Sequence, residues 1–335
     1  MLKKRHSFAK RAIGFSVSAV FFLAAAWILL SREQIIDQLN VWQYKPTSEI
    51  ATIASRADMS EQGRFYFYAS NPVVETANDF NANCQRQEPN NAILGCYANG
   101  RIYIYSVDNV QLDGIEEVTA AHETLHAVWT RMSEPDKKSV GAMLDIAFSQ
   151  IDDSYLKDRM DYYARNEPGE RSSELHSILG TEYPNLGSDL EAHYRKYFID
   201  RTKVVSYQAS YQAVFNNLKA QSSFLFNELK TLKDELDAKV AQYNSDAVYL
   251  QDVYNSLVGR SSLVNRTNPT EVNQYNAELT ALKKSVAELE KTKADILVLQ
   301  TTYGTKVEVY NNLILASNNL VRSIDSTLAP DPSVQ

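Results

Sequence analysis

The sequence predicts an α+β domain, a small sheet with helices, placed between one N-terminal transmembrane helix and a long antiparallel α-helical coiled-coil hairpin. Three patterns along the 335 residues lead to this expectation. Residues 12–30 carry no charge, nine of the eleven glycines precede residue 190, and apolar residues recur at heptad spacing in the last third. The predicted divisions are a cytoplasmic basic tail (1–11), the membrane anchor (12–30), a juxtamembrane segment (31–50), the α+β domain (51–198), the hairpin (199–327) and a flexible tail (328–335).

The composition is that of an ordinary globular protein. Hydrophobic residues make up 44% of the chain and charged residues 22%, and the formal net charge is −7. Proteins that bind nucleic acid generally show a basic face or stripe, so this acidic balance argues against a nucleic-acid partner. Two cysteines are too few for a disulfide framework or a four-cysteine zinc ribbon.

The uncharged stretch at residues 12–30 has the length of a membrane span. Its 19 residues cover about 28 Å at the helical rise, close to the hydrocarbon thickness of a bilayer. A cleaved signal peptide, the alternative, has a shorter apolar region followed by small residues, whereas this stretch ends in Trp27-Ile28-Leu29-Leu30. Basic residues cluster before it, at positions 3–5 and 10–11. Because positive residues stay in the cytoplasm, we expect a single-pass protein of the cell membrane with its bulk on the extracytoplasmic side.

Cys84 and Cys96 flank a polar loop that contains Pro89. In an exported chain, such a pair is expected to form a local disulfide. Closing a loop of this size contributes about 3 kcal/mol to stability. Two buried free thiols are the alternative, and a metal role is disfavoured because no second pair completes a site.

The segment 51–198 mixes strand and helix patterns. Residues 64–69 are rich in aromatic side chains, and residues 101–106 alternate β-branched with aromatic residues, so both predict strands. Residues 115–132 have apolar positions at helical spacing and begin with acidic residues, which favour a helix N-terminus. Further helices are expected from residue 133 and at 170–179 and 188–203.

The last third of the chain predicts two long helices. Apolar residues alternate steps of three and four over 218–257 and again over 275–314, a pattern typical of coiled coils. Gly259 and Pro269 delimit a polar turn between two arms of equal length. These features favour an antiparallel hairpin. The alternative is one arm of an intermolecular coil, formed with a coiled-coil partner or as a homo-oligomer.

The predicted helix at 115–132 carries the sequence His122-Glu123-Thr124-Leu125-His126. Histidines at i and i+4 project from one helix face, so both rings can reach a single metal ion. Glu123 is offset around the helix and can reach a metal-bound water, which is the place of a general base. Zinc suits such a site because it takes imidazole and carboxylate ligands and keeps an open position.

This motif and its uncharged surroundings resemble the zincin metallopeptidases, whose active-site helix carries it. In that superfamily the helix follows an edge strand that holds the substrate backbone, and residues 101–106 occupy the corresponding place. The metzincin pattern requires Gly and His three and six residues after the second His, where this sequence has Trp129 and Met132. The resemblance is therefore to the gluzincin branch, whose third zinc ligand is a Glu on a later helix.

Glu174, in the predicted helix at 170–179, matches that third ligand best. His176 is the alternative, being the right residue type but well round the helix from Glu174. For His193 and Tyr194 a surface role is expected, with polarisation of a substrate carbonyl as the alternative for each. The remaining ligand candidates are Glu170, Glu182, Glu191 and His193.

The resemblance implies a membrane-anchored, extracytoplasmic, zinc-dependent metallopeptidase that acts on a peptide or protein substrate. His122, His126 and Glu174 would hold Zn²⁺, and Glu123 would be the general base. The alternative from another class is a non-catalytic envelope scaffold, in which the tethered hairpin binds a partner.

Overall fold

The structure is a computed structural model that describes residues 31–84 and 92–328, together with 21–23, 25, 27 and 28. Helices dominate this part of the chain. The helices are α1 (Arg32–Gln43), α2 (Ser48–Arg56), α3 (Glu61–Ala69), α4 (Ala77–Asn83), α5 (Ile115–Arg131), α6 (Glu134–Gln150), α7 (Ser154–Asn166), α8 (Arg171–Glu182), α9 (Ser188–Tyr194), α10 (Thr202–Arg260) and α11 (Pro269–Ile324). The strands are β1 (Val73–Glu75), β2 (Gly95–Ala98) and β3 (Arg101–Tyr105), and a short 3₁₀ helix covers Val110–Leu112.

The predicted fold class is wrong. The described chain is mostly helical with one small three-stranded sheet, so an α+β zincin-like domain behind a membrane helix is not supported. Part of the error lies at residues 64–69, which belong to α3 and not to a strand. The hydroxyl of Ser60 caps this helix by accepting a hydrogen bond from the Gly63 amide, and Gly63 and Phe67 are buried one turn apart. The cap and the buried face outweigh the strand preference of the aromatic residues.

The predicted anchor at 12–30, and the cell-membrane location that rested on it, are likewise not supported. No helix among the described residues is long and apolar enough to cross a membrane. The described helical residues in that stretch are 21–23, 25, 27 and 28, and the α1 helix after them carries Arg32, Glu33 and Asp37. The other anchor residues and the basic tail at 1–11 lie outside the described part of the chain.

The sheet has the strand order β1-β3-β2. Strand β3 pairs in parallel with β1, where Val73 lies opposite Tyr103, and antiparallel with β2, where Cys96 lies opposite the same Tyr103. The strand expected at 101–106 therefore lies in the centre of the sheet. The expectation that it is an edge strand was wrong, and β2 forms one of the two edges in the described sheet.

A disulfide joins the end of α4 to β2. The sulfur atoms of Cys84 and Cys96 lie at bonding distance, and their Cα atoms are 5.9 Å apart. The predicted pairing is confirmed. Residues 85–91 between them lie outside the described chain.

Helix α5 is the central element of the main hydrophobic core. Its Leu125 and Val128 are buried with Ile102 and Ile104 of β3 and with Ile178 of α8. Gly180 of α8 allows a close approach, because a Cβ atom there would lie 2.3 Å from Leu125 Cδ1. The sequence thus places α8 directly against the helix that carries the HETLH motif.

Residues Phe215–Asn319 form a compact unit of their own, distinct from the unit that ends at Val214 and resumes at Leu320. Within it, Lys306 pairs with Glu228 at 2.9 Å, and Arg260 pairs with Glu278. The early part of α10 therefore faces the late part of α11, and Leu250, Leu257 and Leu282 form a cluster between the two helices. Of the predicted tail at 328–335, the structure describes Leu328 alone.

Candidate metal centre

His122 and His126 project from the same face of α5. Their ring centroids are 4.9 Å apart, and their Nε2 atoms are separated by 3.1 Å. Both side chains are mostly buried, with 18% and 13% of their area exposed. Two ring nitrogens this close cannot both carry a proton without repulsion, so at least one presents a lone pair.

Glu174 reaches the two histidines from α8. Its Oε1 lies 3.4 Å from His126 Nε2, and its Oε2 lies 3.8 Å from His122 Nε2. One ligand atom from each of the three residues lies within 4.8 Å of the other two. His122, His126 and Glu174, which the sequence singles out, thus form a group that could hold a metal ion.

The three side chains of this group differ in the direction of their pKa shifts. Burial raises the pKa of Glu174, but attraction to His126 and His122 outweighs it and lowers the value to about 2. Burial lowers the pKa of His126 to about 4. Burial also lowers the pKa of His122, but the Glu174 carboxylate 3.8 Å away and the charge of Glu123 raise it overall. At neutral pH Glu174 is therefore ionised and His126 neutral, as metal coordination requires, whereas the raised pKa of His122 means that a metal ion has to displace a proton from this ring.

Glu123 lies next to the group on α5 and is 6% exposed. Burial raises its pKa to about 7, and the charge of Glu174 adds to the rise. The charge of His122 and a hydrogen bond from the Tyr97 backbone act in the opposite direction. A carboxylate with a pKa near neutrality can both take up and release a proton, which suits a general acid–base group.

Sequence reasoning missed Ser173. Its Oγ lies 2.8 Å from His126 Nδ1, the ring nitrogen that faces away from Glu174 and His122, and the residue is 4% exposed. Ser173 directly precedes Glu174 on α8. Its place directly before the candidate ligand Glu174 is the sequence feature that could have pointed to it. The contact with His126 gives no local pattern, because it joins residues 47 positions apart.

The other candidate residues lie elsewhere. His176 is fully buried, with its Nε2 atom 2.9 Å from that of His193, and its ring packs against Trp129. The hydroxyl of Tyr194 donates to the His176 carbonyl oxygen at 2.7 Å. His176, His193 and Tyr194 are therefore parts of the core, so the surface role expected for His193 and Tyr194 is wrong, and the roles of third ligand and carbonyl-polarising group are not supported for these residues.

Two of the three remaining glutamates form ion pairs of their own. Glu182 pairs with Arg159 at 3.2 Å, and Glu191 pairs with Arg201. Glu170 occupies the N-cap position of α8. None of these three belongs to the group formed by the HETLH histidines among the described residues.

The geometry of this centre is the basis for assigning a function. Comparison with protein-family models, with curated proteins and with solved structures found no match. The resemblance to zincin metallopeptidases therefore stays a prediction that rests on the HETLH motif and on Glu174.

Proposed function

We propose that the protein is a zinc-dependent metallopeptidase, with His122, His126 and Glu174 as zinc ligands and Glu123 as general base. The observation that carries this proposal is the convergence of the three ligand side chains from α5 and α8, with a buried carboxylate beside them. Two imidazoles and one carboxylate make up a ligand set of catalytic zinc sites, which leaves a fourth position open.

The spacing of the ligand atoms fits zinc. Ligands about 2.0–2.1 Å from a tetrahedral ion lie about 3.3–3.4 Å from one another. The corresponding separations are 3.1 Å between the two Nε2 atoms, 3.4 Å from Glu174 Oε1 to His126 and 3.8 Å from Oε2 to His122. The two Glu174 distances involve different oxygen atoms; with one ligand atom taken from each residue, all three lie within 4.8 Å of one another.

The chain's own residues perform the proton transfers. Zinc, when bound, supplies Lewis-acid chemistry that activates a water molecule and polarises the substrate carbonyl. Glu123 takes the proton of that water as its oxygen bonds to the carbonyl carbon, and then donates this proton to the leaving nitrogen as the C–N bond breaks. In the metal-free chain burial raises the pKa of Glu123 to about 7, and the charge of a bound zinc ion would lower it toward the ionised form that a general base needs.

The substrate backbone is assigned to β2 and not to β3. Because β3 is paired on both sides, it has no free edge, whereas β2 pairs with β3 alone in the described sheet. Gly95 of β2 also lies directly against Glu123. An extended peptide added along β2 would gain main-chain hydrogen bonds and run past the general base.

The test is metal content and peptide cleavage by the full-length chain. After removal of metal with a chelator and reloading with zinc, we expect about one zinc per wild-type chain, measured by mass spectrometry of metals. Glu174→Ala should lose most of this zinc. Glu123→Gln should keep the zinc and lose cleavage of a mixed peptide library, read out by mass spectrometry.

Two results contradict the proposal. A wild-type chain that binds no zinc under saturating conditions has no metal centre of this kind. A Glu123→Gln chain that cleaves peptides at near the wild-type rate removes Glu123 from the role of general base.

A non-catalytic scaffold is the second candidate function. It is favoured by exposed aromatic residues on α10, where Phe224 is 64% and Phe226 is 57% exposed. Such residues can contact a partner protein or a second copy of the chain. Replacing both with serine should then abolish partner binding or self-association, measured by light scattering, and leave zinc content unchanged.

A further inference from the structure

His126 makes a second contact that the proposed ligand set does not use. Its Nδ1 atom lies 2.8 Å from the hydroxyl oxygen of Ser173, on the side of the ring opposite Nε2. The imidazole is largely buried and Ser173 is 4% exposed, so water competes little for this hydrogen bond. The contact therefore fixes the His126 ring through Nδ1, on the side opposite the proposed ligand atom Nε2.

The position of one proton decides whether His126 can bind a metal. A neutral imidazole carries one N–H, on either Nδ1 or Nε2. If the proton were on Nε2, it would point at His122 Nε2, 3.1 Å away, and would leave no lone pair there for a cation, while Nδ1 would accept a hydrogen bond from the Ser173 hydroxyl. If the proton is on Nδ1, it donates to Ser173 and the lone pair of Nε2 faces the other two ligands.

We propose that Ser173 is a positioning residue, which fixes His126 as the Nδ1–H tautomer and orients its Nε2 atom toward the metal. This inference rests on the proposed zinc centre. A hydrogen bond to the free nitrogen of a ligating histidine commonly sets its tautomer and orientation, and its loss lowers metal affinity.

The helix that provides Ser173 also provides Glu174. Helix α8 thus supplies a ligand and the support of a second ligand through two consecutive residues, while α5 supplies both histidines. Because the hydroxyl is neutral, it orients His126 without adding a negative charge to the centre. Any movement of α8 away from α5 would disturb both contacts together.

The experiment compares Ser173→Ala, Ser173→Thr and Ser177→Ala in the full-length chain. Ser177 is a matched control, since it is also buried on α8 but its hydroxyl has no hydrogen-bond partner among the described residues. Zinc affinity is measured by competition with a chromophoric chelator. We expect Ser173→Ala to weaken zinc binding about 10–100-fold, Ser173→Thr to restore most of the affinity, and Ser177→Ala to match wild type.

A spectroscopic readout separates positioning from general stability. Long-range ¹H–¹⁵N spectra of the metal-free chain should show His126 as the Nδ1–H tautomer in wild type and in Ser173→Thr, and as a mixture in Ser173→Ala. A wild-type chain that binds zinc, with a Ser173→Ala variant of equal affinity and unchanged tautomer, overturns the role of Ser173 and leaves the zinc centre standing. A wild-type chain that binds no zinc overturns both.

Discussion

The side chain of Glu123 lies against the backbone of Gly95 and leaves no room for a larger residue. A Cβ atom at residue 95 would lie 2.9 Å from both Cγ and Oε1 of Glu123, and 2.6 Å from Thr119 Cγ2. These distances are shorter than ordinary van der Waals contacts of 3.4–4 Å. The absence of a side chain at Gly95 thus allows the edge strand β2 to approach the proposed general base.

Replacing Gly95 with alanine should displace either β2 or Glu123. We expect a loss of stability of about 1–3 kcal/mol, as for other overpacked sites. Peptide cleavage should fall while zinc content stays near wild type, because His122, His126 and Glu174 lie outside the contact. Thermal unfolding, zinc content and turnover would be measured on the same preparation, and wild-type values for both stability and turnover would refute the close approach.

The contact between α8 and α5 provides a second test. A Cβ atom at Gly180 would lie 2.3 Å from Leu125 Cδ1 and 2.8 Å from Tyr194 Cε1. Gly180→Ala should therefore push α8 outward, lower stability by about 1–3 kcal/mol and weaken zinc binding through Glu174.

Gly141→Ala is the matched control for this change. Gly141 also lies within a helix, α6, but a Cβ atom there would have no neighbour within 4 Å in the described part of the chain. Alanine is the better helix former, so this variant should gain about 0.5–1 kcal/mol and keep its zinc affinity. A Gly180→Ala chain that behaves like Gly141→Ala would contradict the tight packing of α8 on α5.

The local part of the site could be predicted from the sequence. His122, Glu123 and His126 are fixed by spacing within one helix, and the pairing of Cys84 with Cys96 closes a short loop. Glu174 was one of several acidic or histidine candidates, and it was chosen by resemblance to a family pattern. Glu174 lies beside the two histidines because α8 packs on α5. No local sequence pattern indicates that contact between helices.

The errors have physical causes as well. The central place of β3 depends on β1, whose three residues are too few to give a strand pattern. The aromatic residues of α3 favour strands in isolation, but the Ser60 cap and the burial of Phe67 stabilise a helix. Ser173 was missed because its contact with His126 joins two helices that lie far apart in the sequence.

Acid should destabilise the metal-free chain through His193. Burial lowers the pKa of His193 from the ordinary value of 6.5 to about 4; Lys196 adds to this and Asp136 opposes it. Because the folded pKa lies below that of the unfolded chain, protonation favours unfolding. The free energy of unfolding is therefore unaffected by His193 above pH 6.5 and decreases as the pH falls from 6.5 toward 4. The proton that His193 takes up on unfolding lowers it by up to about 1.4 kcal/mol per pH unit.

His193→Gln should make this loss less steep. Glutamine keeps a hydrogen-bonding group for His176 but does not titrate. Urea unfolding at a series of pH values, with a chelator present, can be followed by the fluorescence of Trp129, whose ring packs against His176. An equal dependence on pH in wild type and His193→Gln would show that His193 does not contribute.

The buried pair of Arg131 and Asp37 joins α1 to the C-terminal end of α5. Arg131 makes two hydrogen bonds to Asp37, both 2.8 Å long, and a third to the hydroxyl of Tyr97 in β2 at 3.0 Å. The side chains of the pair are only 13% and 8% exposed. Asp37→Ala would leave the arginine buried without its counter-charge, at an expected cost of about 3–5 kcal/mol.

The double variant Asp37→Ala with Arg131→Met separates the cost of an unpaired charge from the value of the pair itself. Removing both charges should recover most of the stability lost in Asp37→Ala, because methionine can pack where the arginine chain lay and needs no counter-charge. Denaturant unfolding of the four chains forms a double-mutant cycle. If the double variant is as unstable as Asp37→Ala, the stability lost does not come from an unpaired charge. It then comes from the hydrogen bonds of Arg131 to the Tyr97 hydroxyl and to the Ala127 carbonyl oxygen.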